Sequence, residues 1–176
     1  MFFPIVTERL SLSPLQLSDL ESFVRYRQDP EIARYQSWEP TYSMSQGTEL
    51  ISSQQDFDFP PTGEWLQIGI RLITNGELVG DLALHAMQGL GEFELGFSLA
   101  SEHQGQGYAY EAAKALLDKL FQEREAVSVV AFTDARNSPS KALLRKLGFT
   151  EDATKSWSEE FKGETVTVAT FELVGS

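Results

Sequence analysis

A chain of 176 residues with 41% hydrophobic and 11% aromatic residues can fill one core and is too short for two comfortable domains, so residues 1–176 are expected to form a single domain. It contains no cysteine, which excludes a disulfide framework and thiolate chemistry. A formal net charge of −12, from 26 acidic against 14 basic residues, argues against a nucleic-acid partner; it suits a cationic substrate, or simply solubility.

Met1 to Leu10 has no basic leader region, and Pro4 and Glu8-Arg9 interrupt its apolar character, so it does not read as a signal peptide. No stretch approaches the ~18 apolar residues of a membrane span. A cytoplasmic location without a membrane partner is expected. Leu10 to Ser13 alternates as a strand closed by Pro14. Ser18-Asp19-Leu20-Glu21 has the form of a capping box, predicting a helix through Phe23, Val24 and Tyr26. Asp29-Pro30 starts a short turn, and Ser43 or Ser45 can cap a helix reaching Gln55, followed by a loop from Asp56 to Gly63. Trp65 to Thr74 and Glu77 to His85 flank Asn75-Gly76, which predicts a tight hairpin with positive φ at both central positions.

Gly89-Leu90-Gly91 then reverses the chain into a third antiparallel strand, Phe93 to Leu99. The run Gln104-Gly105-Gln106-Gly107-Tyr108-Ala109 lies between that strand and a helix, Ala109 to Gln122, with apolar spacing at Ala112, Ala113, Leu116, Leu117, Leu120 and Phe121. Two glycines let the backbone turn and bring successive N–H groups close to a ligand, and the helix adds the positive end of its dipole. The run reads as an anion cradle. It lacks the lysine of a P-loop, and Tyr110 stands where a dinucleotide fingerprint needs a small residue. A strand from Val127 to Phe132, a helix from Pro139 to Leu147 ending at Gly148, and a long strand from Thr165 to Val174 complete the chain. Strand, cradle, helix and strand form a crossover unit, so Phe93–Leu99 and Val127–Phe132 should be parallel, with the ligand at the carboxyl end of the first.

The cradle resembles the Gln/Arg-x-x-Gly-x-Gly/Ala signature of the GCN5-related N-acetyltransferases. Thr7-Glu8-Arg9-Leu10 with Asp19, Glu94-Leu95-Gly96-Phe97, Tyr108 to Ala112, and the pattern Asn137, Ser140, Leu143, Gly148-Phe149 are similar to the RimJ/RimL-type branch of that family, in the same order. The likeness thins between Tyr42 and Gly63 and between Asp152 and Gly163. It implies the acyl-CoA N-acyltransferase fold, an α/β (α+β) architecture whose mixed, largely antiparallel twisted sheet is flanked by helices.

The resemblance further implies an N-acetyltransferase that moves acetyl from acetyl-CoA, its cosubstrate, to a primary amine. Protein N-termini are the suggested acceptors, with polyamines, amino sugars and other small amines open. It implies that amides of Gln104, Gly105, Gln106, Gly107, Tyr108 and Ala109 hold the diphosphate and that the Phe97, Ser98 and Leu99 stretch holds the pantetheine arm. Asn137 and Ser140 would also meet the coenzyme, although Asn137 serves equally as a helix cap. Glu94 is the candidate general base, or else a solvent-facing strand residue. Many family members carry a tyrosine that protonates the leaving thiolate, but Leu144 stands there, leaving Ser140 or water as donor. That departure keeps open a catalytically idle acyl-CoA-binding sensor or interaction module. His85 and His103 lack metal-ligand spacing, so no metal is expected. Trp38, Tyr42, Phe57 and Phe59 either line an acceptor pocket or close a core edge. A homodimer is left open.

Overall fold

In the computed structural model, which describes residues 1–176, alternating apolar positions build a nine-stranded sheet around the crossover unit. Strands β1 (Ile5–Val6) and β2 (Leu10–Pro14) precede helices α1 (Leu20–Arg27), α2 (Pro30–Ala33) and α3 (Met44–Gln54). Strands β3 (Trp65–Leu72), β4 (Leu78–Ala86) and β5 (Glu92–Leu99) follow, and α4 (Tyr108–Glu123) crosses to β6 (Ser128–Asp134). Helix α5 (Ser138–Lys146) leads to β7 (Thr150–Glu151), β8 (Trp157–Phe161) and β9 (Glu164–Val174). The order is β1-β2-β3-β4-β5-β6-β9-β7, with β8 also paired to β9. All neighbours are antiparallel except β5 and β6, the pair joined by the crossover helix.

That parallel pairing covers only Glu92↔Ser128, Phe93↔Val129 and Glu94↔Val130. Beyond Glu94, β5 stays with β4 as far as Leu99, whereas β6 stays with β9 as far as Asp134. The sheet therefore opens as a wedge whose closed end lies at Glu94.

The two faces of the sheet differ in chemistry. Ala112, Ala113, Leu116, Leu117 and Leu120 form the buried stripe of α4 and share one core with Leu66, Ile68, Ile70, Leu82, Leu84, Phe93 and Leu95. The alternate strand positions point the other way and include buried Gln67 and Asp81. Polar pairs fasten the other helices there. Gln54 donates from Nε2 to Gln67 Oε1 at 2.6 Å and accepts from the Gln67 amide at 2.8 Å, while the Tyr26 hydroxyl donates to Asp81. Burial pushes the Asp81 carboxyl above its usual range, opposed by nearby Arg27 and by the Tyr26 hydrogen bond.

Three details depart from the sequence expectations. A 3₁₀ turn, Leu17–Asp19, precedes α1, and Asp19 rather than Ser18 organises it, accepting from the Gln16 amide at 2.8 Å while pairing with Arg71. The hairpin between β3 and β4 is wider than a two-residue turn. Leu72 N–H donates to Glu77 O at 3.0 Å and Gly76 N–H to Leu72 O at 2.8 Å, and only Gly76, at φ +73°, is left-handed. Ile73 is the reason: its amide is held by Arg9 O at 3.0 Å, so it stays with β2 instead of closing the turn. Strand β8, in the stretch where the family likeness thins, forms a hairpin with β9.

Removing the centre of the α4 stripe leaves a void that close-packed neighbours only partly fill. Leu116→Ala is expected to lower the unfolding free energy by about 2–5 kcal/mol in urea titrations; an unchanged midpoint would contradict this packing.

Candidate active site

The Ala100 amide donates to Val79 O at 2.9 Å in the ladder that also pairs Gly80 with Leu99. Alternation along an antiparallel pair then turns the main-chain groups of Phe97 and Leu99 away from β4, into the wedge. Side-chain amides come to both carbonyls. Gln36 Nε2 donates to Phe97 O and to Ser98 Oγ, each at 3.2 Å, and Gln104 Nε2 donates to Leu99 O at 3.0 Å. Ser98 is out of step, its main chain facing Asp81 on β4, so of the expected trio it presents a hydroxyl and not a strand edge.

A cavity of about 90 Å³ occupies the wedge between Leu95–Phe97 on β5 and Ala131–Thr133 on β6, with Asn137, Ser140 and Leu144 of α5 on one wall and Tyr35 and Gln36 on another. Asn137 Oδ1 caps α5 by accepting from the Ser140 amide at 3.3 Å. Leu144 is buried in that wall and offers no proton.

At the open end lies the predicted cradle. Gly105 and Gly107 take φ of +79° and +83°, and a Cβ at Gly105 would enter open space. The amides of Gly105, Gln106, Gly107, Tyr108, Ala109 and Tyr110 donate to no protein acceptor. They lead into the first turn of α4, where the helix dipole is positive.

The cradle is tied to the turn between β1 and β2 by one carboxylate. Glu111 Oε2 accepts from the Thr7 hydroxyl at 2.6 Å and the Arg9 amide at 3.1 Å, while Oε1 accepts from Arg9 Nε at 2.8 Å. Arg9 also donates from Nη1 to Gln106 O at 2.9 Å, and its guanidinium lies 4.5 Å from the centre of the Tyr108 ring. Desolvation would raise the Glu111 carboxyl, but the hydrogen bonds from Thr7 and Arg9 outweigh it and hold the group below its ordinary value. Beside the lock runs a groove of about 450 Å³ whose lining includes Arg9, Lys114 and Lys146.

Glu94 stands at the closed end, half-buried, on the sheet face away from α4. Burial raises its carboxyl above the ordinary value, opposed by His85, whose Nδ1 lies 3.6 Å from Glu94 Oε1.

Thus Phe97, Leu99, Asn137 and Ser140 meet around one wedge, with Gln104–Ala109 at its mouth and Glu94 at its apex. The four aromatic residues left open by sequence fall on the core side of the choice. Tyr42 is buried beside Phe23, Phe57 and Phe59 pack against the main core, and Trp38 stacks on Arg27 at 3.7 Å. Tyr35 and Gln36 take the wall instead, and no local pattern in the loop after α2 marks them. Thr7, Arg9 and Glu111 were legible only as fragments of two motifs; their convergence on one another was not.

The acetyltransferase (GNAT) domain model matches residues 9–150 of this chain. The uncharacterized N-acetyltransferase p20 of Bacillus licheniformis is 29% identical over 171 residues, covering 97% of this chain and 95% of that protein. Among solved structures, RimL, a ribosomal L7/L12 alpha-N-protein acetyltransferase in complex with coenzyme A, is similar with a TM-score of 0.82, at 19% identity over 98% of both chains. A spermidine N-acetyltransferase from Vibrio cholerae, in complex with coenzyme A and spermine, is similar with a TM-score of 0.81, at 22% identity over 96% of both chains.

Because the Glu111 carboxyl is held low in the folded state, its stabilisation is fully present above the ordinary unfolded value of ~4.3 and is lost as pH falls through the folded value. Glu111→Gln should therefore lower the urea midpoint at neutral pH, with the difference from the parent shrinking in acid. An equal difference at both pH values would contradict the lock.

Proposed function

The chain belongs to the GNAT acetyltransferase family, and from that premise we propose that it transfers acetyl from acetyl-CoA to a primary amine by direct attack in a ternary complex. The observation that carries this reading is the row of amides from Gly105 to Tyr110, unclaimed by the protein, at the mouth of a wedge lined by a strand edge that no neighbouring strand covers. A diphosphate there would satisfy orphan donors and the helix dipole together. Phe97 and Leu99 would pair with the amides of the pantetheine arm where the Gln36 and Gln104 side chains now donate. Asn137 and Ser140 would face the arm from α5. Arg9 and Lys114 are each paired with a carboxylate, Glu111 and Asp118, so the amides, the helix dipole and Lys146 are what let a chain of net charge −12 accept a polyanion.

The acceptor enters as an ammonium and must lose a proton before its nitrogen can attack. Glu94 takes that proton; burial has already made its carboxylate a stronger base than an exposed one. The C–N bond then forms as the C–S bond breaks. A main-chain N–H near Phe97 steadies the carbonyl oxygen. The thiolate, with a conjugate pKa near ~8.5 by analogy with cysteine, leaves readily and is protonated through Ser140 or water, which regains its proton from the second one that the nitrogen sheds. For the acceptor we favour a protein N-terminus: an α-amine of pKa ~8 asks less of a single carboxylate than a lysine-type amine of ~10.4.

Calorimetry with coenzyme A should give a binding heat that Gly105→Val diminishes, and no heat with the parent protein would sink the reading. Glu94→Gln should lower kcat by about 10²–10⁴-fold with the KM for acetyl-CoA little changed. Parent-like rates at every pH would end its role as base. Peptides with free N-termini should release thiol faster than spermidine does; the reverse order assigns the site to small amines.

A further inference from the structure

Acetylating an ammonium releases one net proton. The nitrogen loses two protons; one ends on the coenzyme sulphur and the other must leave the site. On the reading of Glu94 as base, that second proton rests on a half-buried carboxyl at the closed end of a wedge filled by both substrates. A route outward is therefore required for turnover.

Trp65, His85 and Glu94 stand side by side across β3, β4 and β5. The indole lies flat on the imidazole, with ring centres 4.7 Å apart and planes 11° from parallel, which fixes the plane of the ring. His85 Nδ1 is buried, has no hydrogen-bond partner and lies 3.6 Å from Glu94 Oε1. A buried, unpaired ring nitrogen is costly and calls for an explanation. The rest of the ring is not sealed: the side chain is 22% exposed, and it is Nδ1, not Nε2, that is closed off from solvent. One nitrogen thus faces the carboxylate and the other reaches solvent. The ionisable groups on this face include Glu92 on the same strand, Asp81 further along β4 and bonded to Tyr26, Arg71 at the far end of β3 and paired with Asp19, Asp134 on β6 and paired with Arg136, and Glu172 on β9. Glu172 lies beyond Val130 and is paired with Lys155 at 3.5 Å. None of them stands between Glu94 and His85.

We propose that His85 is a positioning residue that clears Glu94 after each turnover, carrying the acceptor's proton from the carboxyl group to water. This inference rests on Glu94 acting as the base. In the step, the Glu94 O–H bond breaks as an N–H bond forms at Nδ1, and the imidazolium then loses its Nε2 proton to solvent. Glu94 returns to carboxylate and His85 to neutral imidazole carrying its proton on Nδ1; exchange of ring protons with water then restores the Nε2–H form before the next turnover, with no other reactant consumed. The ring need move only a few tenths of an ångström to bring 3.6 Å within hydrogen-bonding reach. Stacked Trp65 favours the transient cation.

The test is steady-state kinetics on full-length protein between about pH 6 and 9, a range spanning the ordinary imidazole pKa of ~6.5. His85→Gln keeps the polarity and removes the relay, and kcat should fall roughly tenfold or more while calorimetric affinity for coenzyme A is unchanged. In His85→Ala, which leaves a space beside Trp65, added imidazole should restore part of the lost rate, and in the double variant with Glu94→Gln it should not. Parent-like kcat in His85→Gln, or a His85→Ala rate indifferent to imidazole, would overturn the relay. If Glu94→Gln alone is fully active, it is the base assignment that fails; if Glu94→Gln is slow while His85→Gln is normal, only the relay does.

Discussion

The shortness of the β5–β6 pairing is the constraint on which the rest of this molecule depends. Each strand has a second partner, and the β4–β5 and β6–β9 ladders both run on past the last shared rung at Glu94 and Val130. With so few rungs to hold two twisted ladders together, they diverge. The divergence creates a strand edge inside the protein, and an edge leaves N–H and C=O groups that must find partners. Phe97 and Leu99 meet this need by recruiting glutamine side chains from two different segments. Such carbonyls suit a flexible ligand that carries its own amides.

The same opening determines where charge can be concentrated. The cradle begins where β5 ends, so the positive end of α4 points at the mouth of the wedge, and Arg9 is carried there by the β1–β2 turn. Glu111 makes that possible. By accepting from Thr7 and from both the main chain and side chain of Arg9, it joins the first turn of α4 to the β1–β2 turn about a hundred residues earlier in the chain. A chain of strongly negative net charge can in this way present free amides, a helix dipole and Lys146 at one mouth, because the field at short range is set by the nearest groups and not by the total.

A division between the sheet faces suits the proposed chemistry. The face toward α4 is apolar and dry. The opposite face carries Gln67, Asp81, His85 and Glu94, covered in part by helices that reach it through hydrogen bonds. A carboxylate placed on the first face would lack partners and lie against hydrocarbon. On the second, Glu94 has a histidine beside it and enough burial to raise its basicity. Asp81 shows the structural use of the same environment, where a buried carboxyl accepts from Tyr26, with the Arg27 charge nearby, and holds α1 in place.

Local signals in the chain were sufficient for most elements and for the cradle. Apolar alternation marked β2 and β9, the Asn75-Gly76 pair marked β3 and β4, helical spacing marked α4, and Gly105 and Gly107 marked a sharp turn ahead of a helix, because each of these properties is written into neighbouring residues. The hairpin at Asn75-Gly76 and the start of α1 were misread because Ile73 and Asp19 answer to Arg9 and Arg71, which are remote in sequence. The wall formed by Tyr35 and Gln36, the Thr7–Arg9–Glu111 lock and the neighbourhood of His85 and Glu94 were likewise invisible, since strand order and register bring them together. Elements and glycine turns follow from short-range sterics and periodicity, and one sequence suffices to read them. Distances between side chains follow from how far two ladders stay paired, a property of the assembled sheet that no stretch of residues carries alone.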